Sequence, residues 1–330
     1  MVRVAVVGVG VIAAEHLKNL QQNEDAQLVA VCDIIKENAE KVGQQYGAVP
    51  YTDFDAMLDN EDIDALFLCV PPFAHGDMEE KAAARGIHLF VEKPVGLDME
   101  TVQRKAKVLK EAGIITGTGY CLRYLDTVAI AKQYLQDKKI AMVRAHRFGS
   151  IIPLAWWKVM AKSGGQLVEQ TTHNVDLMLY LAGDVERVSA DTALRVMDDV
   201  EGIDIPDVYS VNFRFASGAV GHIDTSFVDQ PDGRSVLEVI GRGFRVTLEG
   251  TSLTILEKNK SVTYKSNISF YKEQDDAFIQ AVKTGNRAGI LVPYEVAART
   301  LEVTLAAHQS SETGTFVILS PYKEKATTLG

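Results

Sequence analysis

Cysteine is scarce. Cys32, Cys69 and Cys121 are the only three in 330 residues; they are widely separated, and each sits at or near the end of an apolar run. This excludes a disulfide framework and fits reduced thiols packed as small apolar residues. Neither the cysteines nor the histidines have metal-ligand spacing, so no metal is expected. Basic blocks are also missing. Lys and Arg number 34 against 44 Asp and Glu, a net charge of -10. Such a surface repels phosphate backbones and anionic membranes, so no nucleic acid is expected as a partner. No apolar run approaches the length of a membrane span. The opening "MVRVAVVGVGVIAAEHL" resembles a leader, but Arg3 and glycines interrupt it, and no cleavage pattern follows Glu15 and His16. It reads as a first strand entering a helix, in a protein expected to be cytoplasmic and off the membrane. Internal repeats, low-complexity tracts and long linkers are absent.

What remains is an ordinary soluble composition, 47% hydrophobic and 24% charged, in a chain long enough for two domains. The division is expected near 121, giving 1–121 and 122–330. In the first part, short β-branched runs at 2–7, 27–32, 49–52, 65–70, 87–92 and 114–120 alternate with helical patterns at 12–22, 35–46, 53–59, 75–85 and 98–112. Several strands are apolar throughout, the pattern of a parallel sheet covered on both faces. The expectation is a doubly wound α/β sheet.

The first strand-to-helix turn is "GVGVIA", with Gly8, Gly10 and Ala13 in GxGxxA spacing. Gly8 permits the tight turn, Gly10 lets backbone approach a pyrophosphate, and Ala13 keeps helix close to sheet. The N–H groups around Val11 and Ile12 then face the phosphates with the positive end of the helix dipole. Asp33 ends the second strand, where a carboxylate accepts from both adenosine ribose hydroxyls and repels a 2′-phosphate. NAD is therefore expected as cofactor, with NADP less favoured. The fourth strand ends in "CVPPFAH"; Val70, Pro71 and Pro72 are candidates for the nicotinamide side of the crevice. His75 is a further cofactor-side candidate, although it also suits the start of the next helix. The fifth strand ends in "FVEKPVG", placing Glu92 and Lys93 at its mouth, where Pro94 stops the ladder.

After 121 the pattern changes. A helix at 127–138 precedes the strand candidate "AMVRAHRFG". The stretches 208–227, 234–250 and 252–265 alternate apolar and polar residues around Gly turns, as in an antiparallel sheet with one covered face. Such an exposed face often serves as a dimer surface. Helices follow near 274–284 and 293–312. Between the two patterns, "SGGQLVEQTTHNVDLMLYLAG" reads as one helix from about Gln166 to Leu181, placing Glu169, His173, Asp176 and Tyr180 on a shared face. A carboxylate one turn from an imidazole can fix its tautomer for proton transfer. Trp156, Trp157 and Lys158 precede this helix; Trp157 suits a sugar ring or simple packing.

In this order, "GVGVIA", "CVPPFAH", "FVEKPVG", "GTGYCLRY" and "GGQLVEQTTHNVDLMLYLAG" resemble the Gfo/Idh/MocA oxidoreductases over nearly the whole chain. The resemblance implies an N-terminal Rossmann domain and a C-terminal α+β domain with an open, mostly antiparallel sheet mediating homodimers or homotetramers. It implies that Lys93 lies at the nicotinamide–substrate junction, that Glu92 lines the cofactor side, and that His173 is the catalytic histidine. Tyr120 and Arg123 match the "GYxxR" stretch leading into the substrate site. The inositol dehydrogenases of the family usually carry Asp four residues before the histidine. This chain has Glu169, which leaves the division of roles between Glu169 and Asp176 open.

The implied reaction is hydride transfer between a nicotinamide and a secondary alcohol or ketone of a sugar or cyclitol. His173 serves as the proton acceptor and Lys93 as the cation stabilising the reacting oxygen, or the two roles are exchanged. Two other readings stand beside it: a redox-neutral enzyme that retains NAD, and a non-catalytic dinucleotide- or sugar-binding regulator.

Overall fold

The structure is a computed structural model and describes residues 1–228 and 233–322. Its first eleven elements alternate strictly. They are β1 (Val2–Val7), α1 (Val11–Gln22), β2 (Ala26–Cys32), α2 (Lys36–Tyr46), β3 (Val49–Tyr51), α3 (Phe54–Asn60), β4 (Ala65–Leu68), α4 (Met78–Ala84), β5 (His88–Val91), α5 (Met99–Glu111) and β6 (Thr116–Thr118). The strands pair in parallel in the order β3-β2-β1-β4-β5-β6. The order reverses between β1 and β4, the switch point where doubly wound sheets open a crevice at their carboxyl ends. Leu66, Phe67 and Leu68 of β4 and Leu89, Phe90 and Val91 of β5 are all buried. Each such side chain contributes about 1.5–3 kcal/mol, and burial on both faces explains why these strands carry no polar alternation.

The later elements are α6 (Asp126–Leu135), β7 (Ile140–Phe148), α7 (Met160–Ser163), α8 (Gly165–Glu169), α9 (Thr172–Ala182), β8 (Val185–Ala193), β9 (Val208–Phe215), β10 (Val220–Ser226), β11 (Arg234–Gly241), β12 (Phe244–Glu249), β13 (Ser252–Glu257), β14 (Lys260–Lys265), α10 (Phe270–Thr284), α11 (Tyr294–Thr313) and β15 (Val317–Ile318). Nine strands form the second sheet, in the order β14-β13-β12-β11-β7-β10-β9-β8-β15. It is antiparallel except where β10 runs parallel to β7. Along β7, Val143 and Ala145 are buried under α9, while Met142, Arg144 and Phe148 on the other face are exposed. This period-two alternation leaves one side of the sheet open, as the sequence pattern implies.

Two compact units result. The first comprises 1–126, 161–163 and 267–301; the second comprises 127–160, 164–266 and the residues from 302 onward. The expected boundary at 121/122 follows sequence order, whereas the first unit also recruits a late segment. α10 packs on α1, and its Phe278, Ile279 and Ala281 join Val4, Val6, Leu17, Phe67 and Phe90 in one core.

The expected helix from 166 to 181 is corrected. The chain forms two helices, α8 ending at Glu169 and α9 starting at Thr172, with Gln170 and Thr171 between them. Glu169 and His173 therefore belong to different helices. The shared-face spacing holds only for His173, Asp176 and Tyr180 of α9.

Candidate active site

The glycine turn connects β1 to α1 at the switch point. Gly8 has φ +80°, and a Cβ there would lie 2.8 Å from Val70 Cγ1 and 2.9 Å from the Cys69 carbonyl carbon and oxygen. Backbone conformation and close approach to β4 both demand glycine. Gly10 differs: it caps α1 with φ -75°, and a Cβ there would meet nothing within 4 Å. No side chain caps this helix end, so the first-turn N–H groups stay available in front of an open approach.

Asp33 anchors the turn from β2. Its Oδ2 accepts from Val9 N–H at 3.0 Å and its Oδ1 from Ile35 N–H at 2.9 Å. The carboxylate thus stands beside the phosphate-binding turn, where ribose hydroxyls would meet it. Beside it, Val11 (86% exposed), Ile34 (90%) and Ile35 present bare apolar surface. Exposed isoleucines directly after a strand-end carboxylate form an apolar rim suited to an adenine ring. The sequence signal for Ile34 and Ile35 was their position after Asp33, unexplained by any core-facing helical pattern. The uncapped helix end, the side-chain-free approach at Gly10, Asp33 and this rim together fit NAD.

Val70 and Pro71 are partly exposed at the end of β4, and Pro72 is buried in a 3₁₀ turn at Pro72–Ala74 that leaves Phe73 in solvent. His75 does not join this rim. Its imidazole is buried, and Nδ1 lies 2.8 Å from Glu79 Oε1, while Glu79 Oε2 accepts from Lys105 Nζ at 2.7 Å. Burial pushes the Glu79 carboxyl upward, but His75 and Lys105 outweigh it and hold the group below the usual carboxylate range. His75 is thus held through Nδ1 by the Glu79–Lys105 pair that ties α4 to α5, while its buried Nε2 has no hydrogen-bond partner among the described residues.

Glu92 and Lys93 end β5 in the same unit. The Glu92 carboxylate is 5% exposed and points inward; Oε1 lies 3.1 Å from His16 Nε2, and Oε2 accepts from Lys93 N–H at 3.1 Å. Space for it exists because residue 119 is glycine: a Cβ there would fall 2.3 Å from Glu92 Oε1. Both Glu92 carboxylate oxygens thus have partners inside the unit. Lys93 is partly exposed. Tyr120 is buried, and Arg123 is buried with Nη1 donating to the Leu291 carbonyl at 3.2 Å. That bond ties the "GYxxR" segment to the chain ahead of α11.

In the second unit, Trp157 is fully buried against Phe227, with ring centroids 5.1 Å apart, and its indole N–H donates to Glu169 Oε2 at 2.7 Å. Gln170 Nε2 donates to the same oxygen at 2.6 Å. Trp157 is therefore a core residue with no face for a sugar ring. Glu169 Oε2 is thus fixed from two sides, by Trp157 and by Gln170. His173 is partly buried and Asp176 is 1% exposed on α9. Among the described residues, no group of three His, Cys, Asp or Glu could hold a metal ion, and no helix is long and apolar enough to cross a membrane.

A parallel sheet in Rossmann order, an uncapped glycine turn and a strand-end aspartate define a dinucleotide-binding oxidoreductase unit. Residues 2–120 match the family model described as an oxidoreductase family with an NAD-binding Rossmann fold, and 131–247 match the GFO/IDH/MocA C-terminal domain. The chain is 32% identical over 272 residues to scyllo-inositol 2-dehydrogenase (NAD(+)) of Bacillus subtilis strain 168, covering 79% of this chain and 78% of the relative. Myo-inositol 2-dehydrogenase of Thermotoga maritima is 27% identical over 294 residues, 86% of each chain. Levoglucosan dehydrogenase, solved with NADH, superposes with TM-score 0.87 over 97% of this chain and 100% of that one; at 18% identity this likeness speaks to fold alone. The protein belongs to the Gfo/Idh/MocA oxidoreductase family, and its cofactor is NAD.

Proposed function

We propose that the protein oxidises a secondary alcohol of a sugar or cyclitol, reversibly, with NAD. The observation that carries this reading is the pairing, in one unit, of the Asp33-anchored glycine turn with a lysine at the carboxyl end of β5, the side of the sheet where such folds bind their ligands. Inositol dehydrogenases among the relatives support the polyol class. Bound NAD supplies the hydride acceptor. The chain's part is to hold the carbinol and manage its proton. His173 takes the hydroxyl proton as the C–H bond breaks, since imidazole titrates near working pH. Lys93 donates to the same oxygen and stabilises the charge developing there. Asp176 is the substrate-side carboxylate one helical turn from His173.

We assign the open face of the nine-stranded sheet to homodimer or homotetramer contacts, supported by exposed Met142, Phe148 and Leu256 along it. The acidic surface and reduced, buried cysteines support a cytoplasmic location.

The test is NADH production over a panel of inositols and aldoses. Lys93→Ala and His173→Ala each lower kcat by about 10² or more while NADH still binds. Full turnover by either variant, or no turnover of any polyol by the wild type, overturns the reading.

A further inference from the structure

His16 lies in the middle of α1, fully buried, with both ring nitrogens engaged. Nδ1 is 2.8 Å from Asp275 Oδ1 on α10 and Nε2 is 3.1 Å from Glu92 Oε1 at the end of β5. Ionised carboxylates only accept hydrogen bonds, so both contacts are satisfied at once only when both nitrogens carry protons. The carboxylates are held in turn. Asn19 Nδ2 donates to Asp275 Oδ2 at 2.8 Å, and Lys93 N–H donates to Glu92 Oε2. Phe67 and Phe90 close the sides, with ring centroids 5.3 and 5.2 Å from the imidazole. Burial pushes the imidazole pKa down, but Asp275 and Glu92 outweigh it and lift it to about 10. The same burial and the Glu92 charge hold the Cys69 and Cys121 thiols above their usual range, so neither competes as a thiolate.

We propose that His16 is a positioning residue: a doubly donating imidazolium that locks the Glu92 carboxylate between α1 and α10 and, through Glu92, fixes the backbone of Lys93 at the mouth of β5. One side chain then couples the helix that follows the glycine turn to the lysine that meets the reacting oxygen. This value for catalysis rests on the reading of Lys93 given above; the lock itself does not. The charged and titratable groups facing His16 are Asp275 and Tyr271 from α10 and Glu92 from the end of β5, with the Cys69 and Cys121 thiols near Glu92. Two carboxylates against one imidazolium leave the cluster one negative charge in excess, so losing the His16 proton sets two like charges facing a neutral ring.

Three measurements on the full chain test the lock. Nitrogen-15 histidine spectra of the wild type at pH 8 should show one ring, absent in His16→Gln, protonated at both nitrogens; a singly protonated ring overturns the proposal. Amide exchange across 92–95 should quicken roughly tenfold or more in His16→Gln while α5 is unchanged; unaltered exchange there overturns it. On a polyol the wild type oxidises, His16→Gln should lower kcat roughly 10- to 100-fold with KM for NAD within about threefold. His16→Gln/Glu92→Gln should be no worse than the more damaged single variant, whereas additive losses overturn the chain of action. A lowered melting temperature with normal kcat would mark His16 as merely structural. Should His16→Gln not fold, Glu92→Gln, which keeps size and a hydrogen-bonding amide, carries the exchange and kcat arms, and Asp275→Asn supplies the spectral comparison. A wild type that oxidises no polyol refutes the reading of the site, and the proton state and exchange rates still decide the lock.

Discussion

Substituting Gly10 by alanine separates the cofactor from the fold. A Cβ at Gly10 meets nothing within 4 Å and the residue sits at φ -75°, which alanine adopts freely. Two small effects then oppose each other. Alanine caps a helix less well than glycine by several tenths of a kcal/mol, and a stiffer unfolded chain returns about 0.4–1 kcal/mol. The ligand-free protein should therefore change by less than about 1 kcal/mol in urea unfolding. The methyl group does fill the space through which a pyrophosphate reaches the first turn of α1, so NADH affinity should fall about 100-fold, or ~2.7 kcal/mol. Fluorescence titration with NADH reads this directly, and the melting-temperature gain on adding NADH should shrink in parallel. Gly8→Ala is the contrast: at φ +80° with backbone 2.9 Å away, the ligand-free fold itself should lose about 2 kcal/mol or more. If Gly10→Ala binds NADH within threefold of wild type, the dinucleotide does not use this turn.

Asp33→Ser should narrow the preference for NAD over NADP in kcat/KM; an unaltered ratio would show that the carboxylate does not meet the ribose. Gly119→Ala should lower the urea midpoint and kcat together, because Glu92 Oε1 would lie 2.3 Å from the new Cβ and must leave His16; breaking such a buried pair costs about 3–5 kcal/mol. A variant with wild-type stability would show that Glu92 has room to move. His16 also makes stability depend on pH. Its folded pKa of about 10 exceeds the unfolded 6.5, so its contribution is complete below pH 6.5 and disappears as pH rises through 10, on the order of 5 kcal/mol in all. The urea midpoint of the wild type should fall between pH 8 and 10 more steeply than that of His16→Gln; parallel curves would refute the charge assignment.

Where one short segment determines its own environment, the sequence was legible. β1, β4 and β5 are short apolar runs because both faces are covered, and Gly8, Gly10 and Asp33 announce the turn through backbone demands that few other residues meet. Pairings over long separations were hidden. His16 and Asp275 stand 259 positions apart, and nothing in either neighbourhood marks them as partners. The break at Gln170–Thr171 was concealed because the apolar spacing of Leu167, Val168, Val175 and Leu177 continues across it. β8 escaped notice because its residues are mostly only half buried, which blurs the alternation. For Trp157 the sequence leaves a sugar platform and simple packing equally open; only the fold reveals that its indole is buried and spends its hydrogen bond on Glu169.

The recruitment of α10 into the first unit sets an order of events during synthesis. Residues 1–118 emerge from the ribosome as a complete parallel sheet, yet Asp275, Phe278 and Ile279 follow more than 150 residues later. At roughly 5–20 residues per second, the nascent sheet waits several seconds or more with part of its core open and one side of His16 facing water. A ribosome stalled before residue 270 would therefore display an unfinished nucleotide-binding unit, and chaperone contact during elongation should concentrate on the strip of α1 that α10 later covers.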